Sequence, residues 1–318
     1  MEIIVRRIGL RLFQGFFVAF GVSTLTFILL MAMPGDLAVK VTMAQYGEDG
    51  LNQERVEQVR QEAHLNRSAL WLYGRWVGRT VRFDLGRSMV TDQPIAEVLG
   101  FHLGLSLKLA SAAMIFSLVL ALPMGILAGL RPGSVLDLLS AAFSSLMVSL
   151  PGFVLGAFLI LLLAIRMRLL PAAGFHEPAN MVLPAITLGL GLAAVSSRVI
   201  RTAVVDVKNA FYLQFARIKG VPERRVLLDH GFRNGAVPVV TFLSLQLAHV
   251  LDGVVVLENL FNWPGIGFLL LESIQGRDIP MIQAVTLLIG LFYVGANLIA
   301  DLACAWLDPR RLALGGEI

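Results

Sequence analysis

The chain has 318 residues, of which 57% are hydrophobic and only 15% charged, where a soluble domain averages about 25% charged. A water-soluble core cannot absorb that much apolar surface, whereas a bilayer can, so the composition points to an all-α integral membrane protein. The single cysteine, Cys304, excludes an intrachain disulfide and a thiolate metal cage.

A hydrocarbon core about 30 Å thick needs about 20 helical residues to cross it. The first run of that kind covers residues 12–33, 22 positions without a charge. It exceeds the apolar core of a signal peptide and no small-residue cleavage site follows, so it reads as a retained anchor. The polar segment 34–100 comes next. Within it, residues 51–65 predict a helix with Asn52 as N-cap and Val56, Val59 and Ala63 on one face. Residues 69–81 carry two tryptophans and a tyrosine, a composition that favours a bilayer interface. These read as short helices over the outer mouth of a single domain spanning 1–318. The sequon Asn66-Arg67-Ser68 reads as chance.

Further charge-free runs cover 109–130, 138–165, 178–197 (with Pro184 inside it), 234–251 and 279–300. Asp252 interrupts the continuation of the fifth run, and Asp301 follows the sixth. Six spans place both termini on one side. Fourteen basic residues fall on the face of the termini and of the 198–233 connection, against eleven on the other, most of them in one long loop. The positive-inside rule then predicts cytoplasmic termini and a cytoplasmic 198–233 loop. Arg166 and Arg168 run against that rule.

The 198–233 connection is the most informative. Val207, Phe211, Phe215 and Ile218 recur at i, i+4, i+8 and i+11, with Lys208, Gln214 and Arg217 off the stripe. Gly220 suits a left-handed helix end, and Pro222 with Glu223 suits the start of a second, basic helix. Such an amphipathic element either lies on anionic lipid or docks on a soluble partner.

Catalytic signatures are missing. No glycine precedes a lysine, so there is no phosphate-cradling loop, and there is no Gly-x-Ser-x-Gly elbow. Histidines 64, 102, 176, 230 and 249 have no ligand spacing. Ionisable groups at membrane depth usually face protein or water. Gln246, His249 and Asp252 form a polar stripe that either lines a path or ties the fifth span to a neighbour. Lys108 reads as a snorkelling end residue, and Asp301 with Asn297 as a structural polar contact.

The run Phe215-Ala216-Arg217-Ile218-Lys219-Gly220, then Glu223-Arg224-Arg225, His230-Gly231-Phe232-Arg233-Asn234 and Pro238, resembles the permease subunits of the dipeptide, oligopeptide and nickel branch of bacterial ABC importers. Pro34-Gly35-Asp36, Asp84-Leu85-Gly86 with Ser88, Leu170-Pro171, Leu183-Pro184, Trp263-Pro264-Gly265-Ile266-Gly267 and Leu307-Asp308-Pro309-Arg310 extend the resemblance over nearly the whole length. The chain departs from the generic permease loop in lacking Glu-Ala-Ala before the glycine; Leu37 replaces a second proline and Asp252 a glycine.

The resemblance implies a type I importer permease fold, the first permease of a heteromeric pair, in a bacterial cytoplasmic membrane. It implies that Phe211, Phe215, Ala216, Arg217, Lys219 and Gly220 couple to an ATPase. The implied partners are a second permease chain, two ATP-binding subunits that hold ATP and Mg, and an external solute-binding protein. This chain is expected to bind no cofactor and no nucleic acid, and not to be an enzyme. The implied cargo is a peptide or a chelated metal such as nickel; His249 and Asp252 hint at a polar or metal-bearing cargo, and Glu258-Asn259 before Phe261 resembles the nickel members slightly more. The rival readings are a secondary transporter, which would show inverted repeats, and a membrane-embedded enzyme, which would need a catalytic pair.

Overall fold

The computed structural model describes residues 2–32, 34–222, 225 and 231–307; the side chains of 2–8, 10–12, 16, 217, 233, 248–249, 251–252 and 304–307 fall outside that description. Contacts divide the chain into two compact units, Met1–Ser106 with Pro264–Val294, and Leu107–Trp263 with Gly295–Ile318. Among the described residues there is no strand, only one isolated bridge between Arg87 and Pro94.

In the first unit, α1 covers Glu2–Ala32, α2 Leu37–Tyr46, α3 Gln53–Glu62 and α4 Ala69–Thr80. Each short helix starts where a side chain takes over an orphan backbone N–H. Asp36 accepts from Ala38, Asn52 from Arg55 and Ser68 from Trp71. The expected Asn52 cap is therefore present, and Val59 is the buried residue of its helix. Helix α5 begins at Ile95, 14 residues before the expected charge-free run, and continues to Leu130 in the second unit. The unit's core joins Ile95 and Leu99 to Ile266 and Leu269 of α11 (Ile266–Gly276) and to Met281, Ala284 and Val285 of α12 (Ile279–Leu307). Gly265 and Asp278 precede α11 and α12.

In the second unit the expected single span over 138–165 is broken. Helix α6 (Val135–Ser149) and helix α7 (Gly152–Leu159), which continues as a π-helix over Ile160–Arg166, meet at 103°. Pro151 is the reason: its ring disfavours helical backbone at the residue before it, and Leu150 is extended at φ −97°, ψ 126°. The expected fourth span, 178–197, is longer than its apolar run. A 3₁₀ turn over Pro178–Met181 leads into α8, Val182–Asn209, which carries the chain well into the connection expected to start at 198. After the short α9 (Phe211–Ile218), α10 runs from Arg233 to Leu260.

Small residues let these helices approach closely, as apolar helices without a hydrophobic drive between them require. A Cβ at Gly125 would stand 2.7 Å from both the Ile200 Cβ and the Ser197 carbonyl oxygen of α8. Ala121, Ala193 and Ile200 form the core there.

Among the described residues, four helical stretches are long and apolar enough to cross a membrane: Phe13–Ala32, Ile95–Leu130, Pro178–Asn209 and Ile279–Ala303. The bent pair α6 and α7 supplies a fifth if it is one span. The expected fifth span, 234–251, lies within α10, whose described apolar stretch, Asn234–Leu247, is shorter than a crossing needs. The full helix has 28 residues, about 42 Å at 1.5 Å per residue.

Candidate functional site

The site is built at the end of α8. Asn209 closes that helix and Ala210 is extended, at φ −67° and ψ 134°. The chain restarts at once, because the Ala210 carbonyl accepts from the amides of Leu213 and Gln214. Val207 is therefore not on one continuous helix with Phe211, as the periodicity predicted. It lies in the last turn of α8, partly buried, and packs with Val221 against buried Leu213 and Ala216.

That inner seam leaves the other apolar residues of α9 uncovered. Phe211 is 86% exposed, Phe215 58% and Ile218 83%. They stand at i, i+4 and i+7, so three large apolar groups share one face of an eight-residue helix. The Lys219 ammonium sits 4.5 Å from the Phe215 ring centroid, a cation–π contact at the rim of that face. The Arg217 side chain lies outside the described residues.

The end of α9 is fixed by Gly220, at φ +77°. The Val221 amide donates 3.2 Å to the Ala216 carbonyl, the 6→1 bond of a Schellman ending, and Val221 packs on the Leu213–Ala216 seam. Ala216, expected among the coupling residues, is buried in that seam. The second basic helix expected from Pro222 falls mostly on residues 223–224 and 226–230, outside the described residues.

Above α9, basic residues counted in the sequence only for orientation tie helices together. Arg201 donates through two nitrogens to Asp137 of α6, at 2.5 and 2.7 Å. Asp137 also accepts from the Gly133 amide at 2.9 Å. Lys208 donates to the Leu130 carbonyl at 2.9 Å, and Arg198 to Ser145 Oγ at 2.6 Å. Sequence reading missed this clasp. Its signal was Asp137, the sole acidic residue between Arg131 and Arg166.

The polar stripe on α10 is brought only partly into view. Gln246 is buried, accepts from Ser196 Oγ at 2.9 Å and donates to the Leu192 carbonyl at 3.1 Å. Both partners belong to α8, so Gln246 ties α10 to α8. The His249 and Asp252 side chains lie outside the described residues.

The family-like motifs of the first unit have structural work. Asp36 caps α2 and pairs with Arg60 at 2.6 Å. Asp84 pairs with Arg79 at 2.8 Å and accepts from the Gly86 amide. Ser88 donates to Asp278, whose carboxylate also accepts from the Met89 amide and, at the start of α12, from Met281. The Ile266 amide of the Pro-Gly-Ile-Gly turn donates to Ser106 Oγ at 2.8 Å, and His102 Nδ1 to the Gly265 carbonyl at 3.2 Å.

Long apolar helices, a sharply bent helix pair and an uncovered amphipathic helix between α8 and α10 are features of a multi-pass membrane protein. Residues 121–312 match the family model described as binding-protein-dependent transport system inner membrane component. The glutathione transport system permease protein GsiC of Shigella flexneri serotype 5b is 35% identical over 290 residues, 91% of this chain and 93% of the relative. The GsiC of Escherichia coli K12 is 34% identical over the same shares. The nickel import system permease protein NikB of Staphylococcus aureus is 33% identical over 313 residues, 98% of this chain and 94% of the relative. The chain belongs to the family of binding-protein-dependent transport system inner membrane components, the permeases of bacterial ABC importers. Such permeases sit in the inner membrane, act in complexes with ATPase subunits and binding proteins, and are not themselves enzymes.

Proposed function

We propose that residues 1–318 act as one permease domain, the first chain of a heteromeric pair that imports short peptides or a chelated metal such as nickel. A second permease, two ATP-binding subunits and an external solute-binding protein complete the assembly. ATP and Mg are held by the partner subunits, and this chain binds no cofactor of its own. Both termini and the loop around α9 face the cytoplasm, with residues 34–100 outside.

The observation that carries this reading is the apolar rank of Phe211, Phe215 and Ile218 on α9, which nothing else among the described residues covers. A groove on an ATPase subunit would bury it, with Arg217 and Lys219 pairing acidic groups at the rim and fixing register. The Gly220 ending sets the angle at which α9 is presented. When the ATPase pair closes on ATP, α9 moves with it, and the rest of the second unit follows through the α6–α8 clasp. That is a rigid-body switch between inward and outward openings.

The test is a pair of variants. Gly220→Val forces a branched residue to positive φ, which costs on the order of 1–2 kcal/mol locally. It should leave the protein inserted while uncoupling ATP hydrolysis from uptake. Phe215→Asp puts a charge into the groove and should release the ATPase from the purified complex. Normal uptake by both variants with their ATPases still bound would contradict the assignment. A helix that merely lay on lipid would leave ATPase co-purification unchanged.

A further inference from the structure

Helix α4 has an inner face that the first unit covers and an outer face that it does not. Tyr73 carries the inner contact. Its ring centroid stands 5.2 Å from that of Phe27 and 6.4 Å from that of Phe20, and its hydroxyl shares a hydrogen bond with Thr24 Oγ1. All three partners belong to α1, inside the apolar stretch Phe13–Ala32. Counted back from Ala32 at 1.5 Å per residue, Phe27 and Phe20 lie about 7.5 and 18 Å into that stretch. Half of a hydrocarbon core is about 15 Å. The contact therefore holds α4 beside α1 at the depth of one leaflet.

The outer face is apolar and cationic at once. Leu70 is 84% exposed, Val81 70% and Phe83 94%. Leu70, Gly74, Gly78 and Val81 recur at i, i+4, i+8 and i+11, so they share one side of the helix. A Cβ at either glycine would meet nothing within 4 Å, which leaves the strip between Leu70 and Val81 low and open. Phe83 is left-handed, at φ +60°, where glycine usually ends a helix, and the Asp84 amide donates across it to the Arg79 carbonyl at 3.0 Å. Four arginines, 67, 75, 79 and 82, accompany this face, and no acidic residue occurs from Ala63 to Phe83. Arg79 pairs with Asp84 at 2.8 Å, whereas Arg67, Arg75 and Arg82 have no ion pair among the described residues. The guanidinium carbons of Arg67 and Arg75 stand 5.7 and 5.4 Å from the Trp71 ring centroid, so one indole gathers a cation from the turn before it and one from the turn after it. Like charges gathered on one ring are stabilised by a shared anion. A soluble acidic protein would meet the arginines and not the apolar strip at leaflet depth. A zwitterionic lipid would cover the strip and leave the cations without a counter-charge. An anionic phospholipid meets both, because arginine stems reach from the acyl layer to the headgroup.

We propose that the outer face of α4 is a binding surface for anionic phospholipid. Arg67 and Arg75 hold the headgroup phosphate beside Trp71, while Leu70, Val81 and Phe83 lie in the acyl layer. Assigning that lipid to the outer leaflet rests on the orientation proposed above; the lipid contact itself does not.

The experiment uses the full permease assembled with its partner subunits in nanodiscs of phosphatidylcholine with a minor share of phosphatidylglycerol. One lipid or the other carries bromine on its acyl chains, and the fluorescence that Trp71→Phe removes is taken as that of Trp71. Both brominated lipids should quench it, phosphatidylglycerol several-fold more per molecule. Arg67→Gln and Arg75→Gln should each lower that preference about fivefold or abolish it, the loss expected for one cation near an anionic surface, while quenching by phosphatidylcholine persists. In the unaltered protein the preference should also fall as salt is raised, a readout that needs no variant to fold. Three results would overturn the proposal. An unquenched Trp71 would mean that a protein covers this face, whether the second permease or the binding protein. Equal quenching by the two lipids would mean contact without headgroup selection. Loss of the preference to added inorganic phosphate would mean a site for small anions instead. Nanodiscs present both leaflets alike, so the quenching decides the lipid, and labelling of position 60 from outside intact cells decides the leaflet. ATP-driven uptake by the same assembly with its binding protein tests the importer reading separately from both.

Discussion

Asp36 illustrates how much a single motif residue does. It caps α2 and pairs with Arg60 of α3, and that hydrogen bond holds its carboxyl below the usual 3.8. A depressed folded pKa adds stability above the unfolded value, and the contribution disappears as pH falls through the folded one. The α2–α3 contact should therefore be insensitive to pH from neutrality to about 5 and loosen below about 4, seen as faster amide exchange over Leu37–Tyr46; Asp36→Asn should give the loosened exchange at neutral pH. Asp252 belongs to the same scale. Asp252→Ala should alter uptake while the ATPases stay bound. Loss of assembly would instead assign Asp252, like Gln246, to the packing of α10.

Helices were legible where a local rule acts alone. Asn52 and Gly220 could be read from sequence because a cap or a left-handed ending depends on a few neighbouring residues. Pro151 was equally local, yet its effect was missed, because an unbroken charge-free run of 28 residues outweighed one ring in the reading. Val207 was placed on the wrong helix because a helical period continues on paper through an extended residue such as Ala210. The Asp137–Arg201 pair lies 64 residues apart, beyond any periodicity. Close packing at Gly125 was also invisible, since only the neighbouring helix shows that no side chain fits. Gly125→Val should destabilise the second unit by about 1–3 kcal/mol, the usual penalty for overpacking, in detergent unfolding. An unchanged midpoint would mean that α5 and α8 can separate at that point.

At the scale of the whole molecule, composition predicted the membrane and the motifs predicted the family, while the path of substrate was out of reach because it depends on groups from several elements and chains. The central claim is that α9 lies in the cytoplasm against an ATPase subunit. Its most direct test starts from Cys304→Ser, which leaves no cysteine. Phe215→Cys and Arg60→Cys are then introduced singly into the assembled transporter in intact cells. The account predicts that an impermeant thiol reagent added outside labels position 60 and not 215, and that a cross-linker at 215 captures the ATP-binding subunit. Labelling of 215 from outside, or its capture by lipid alone, would contradict it.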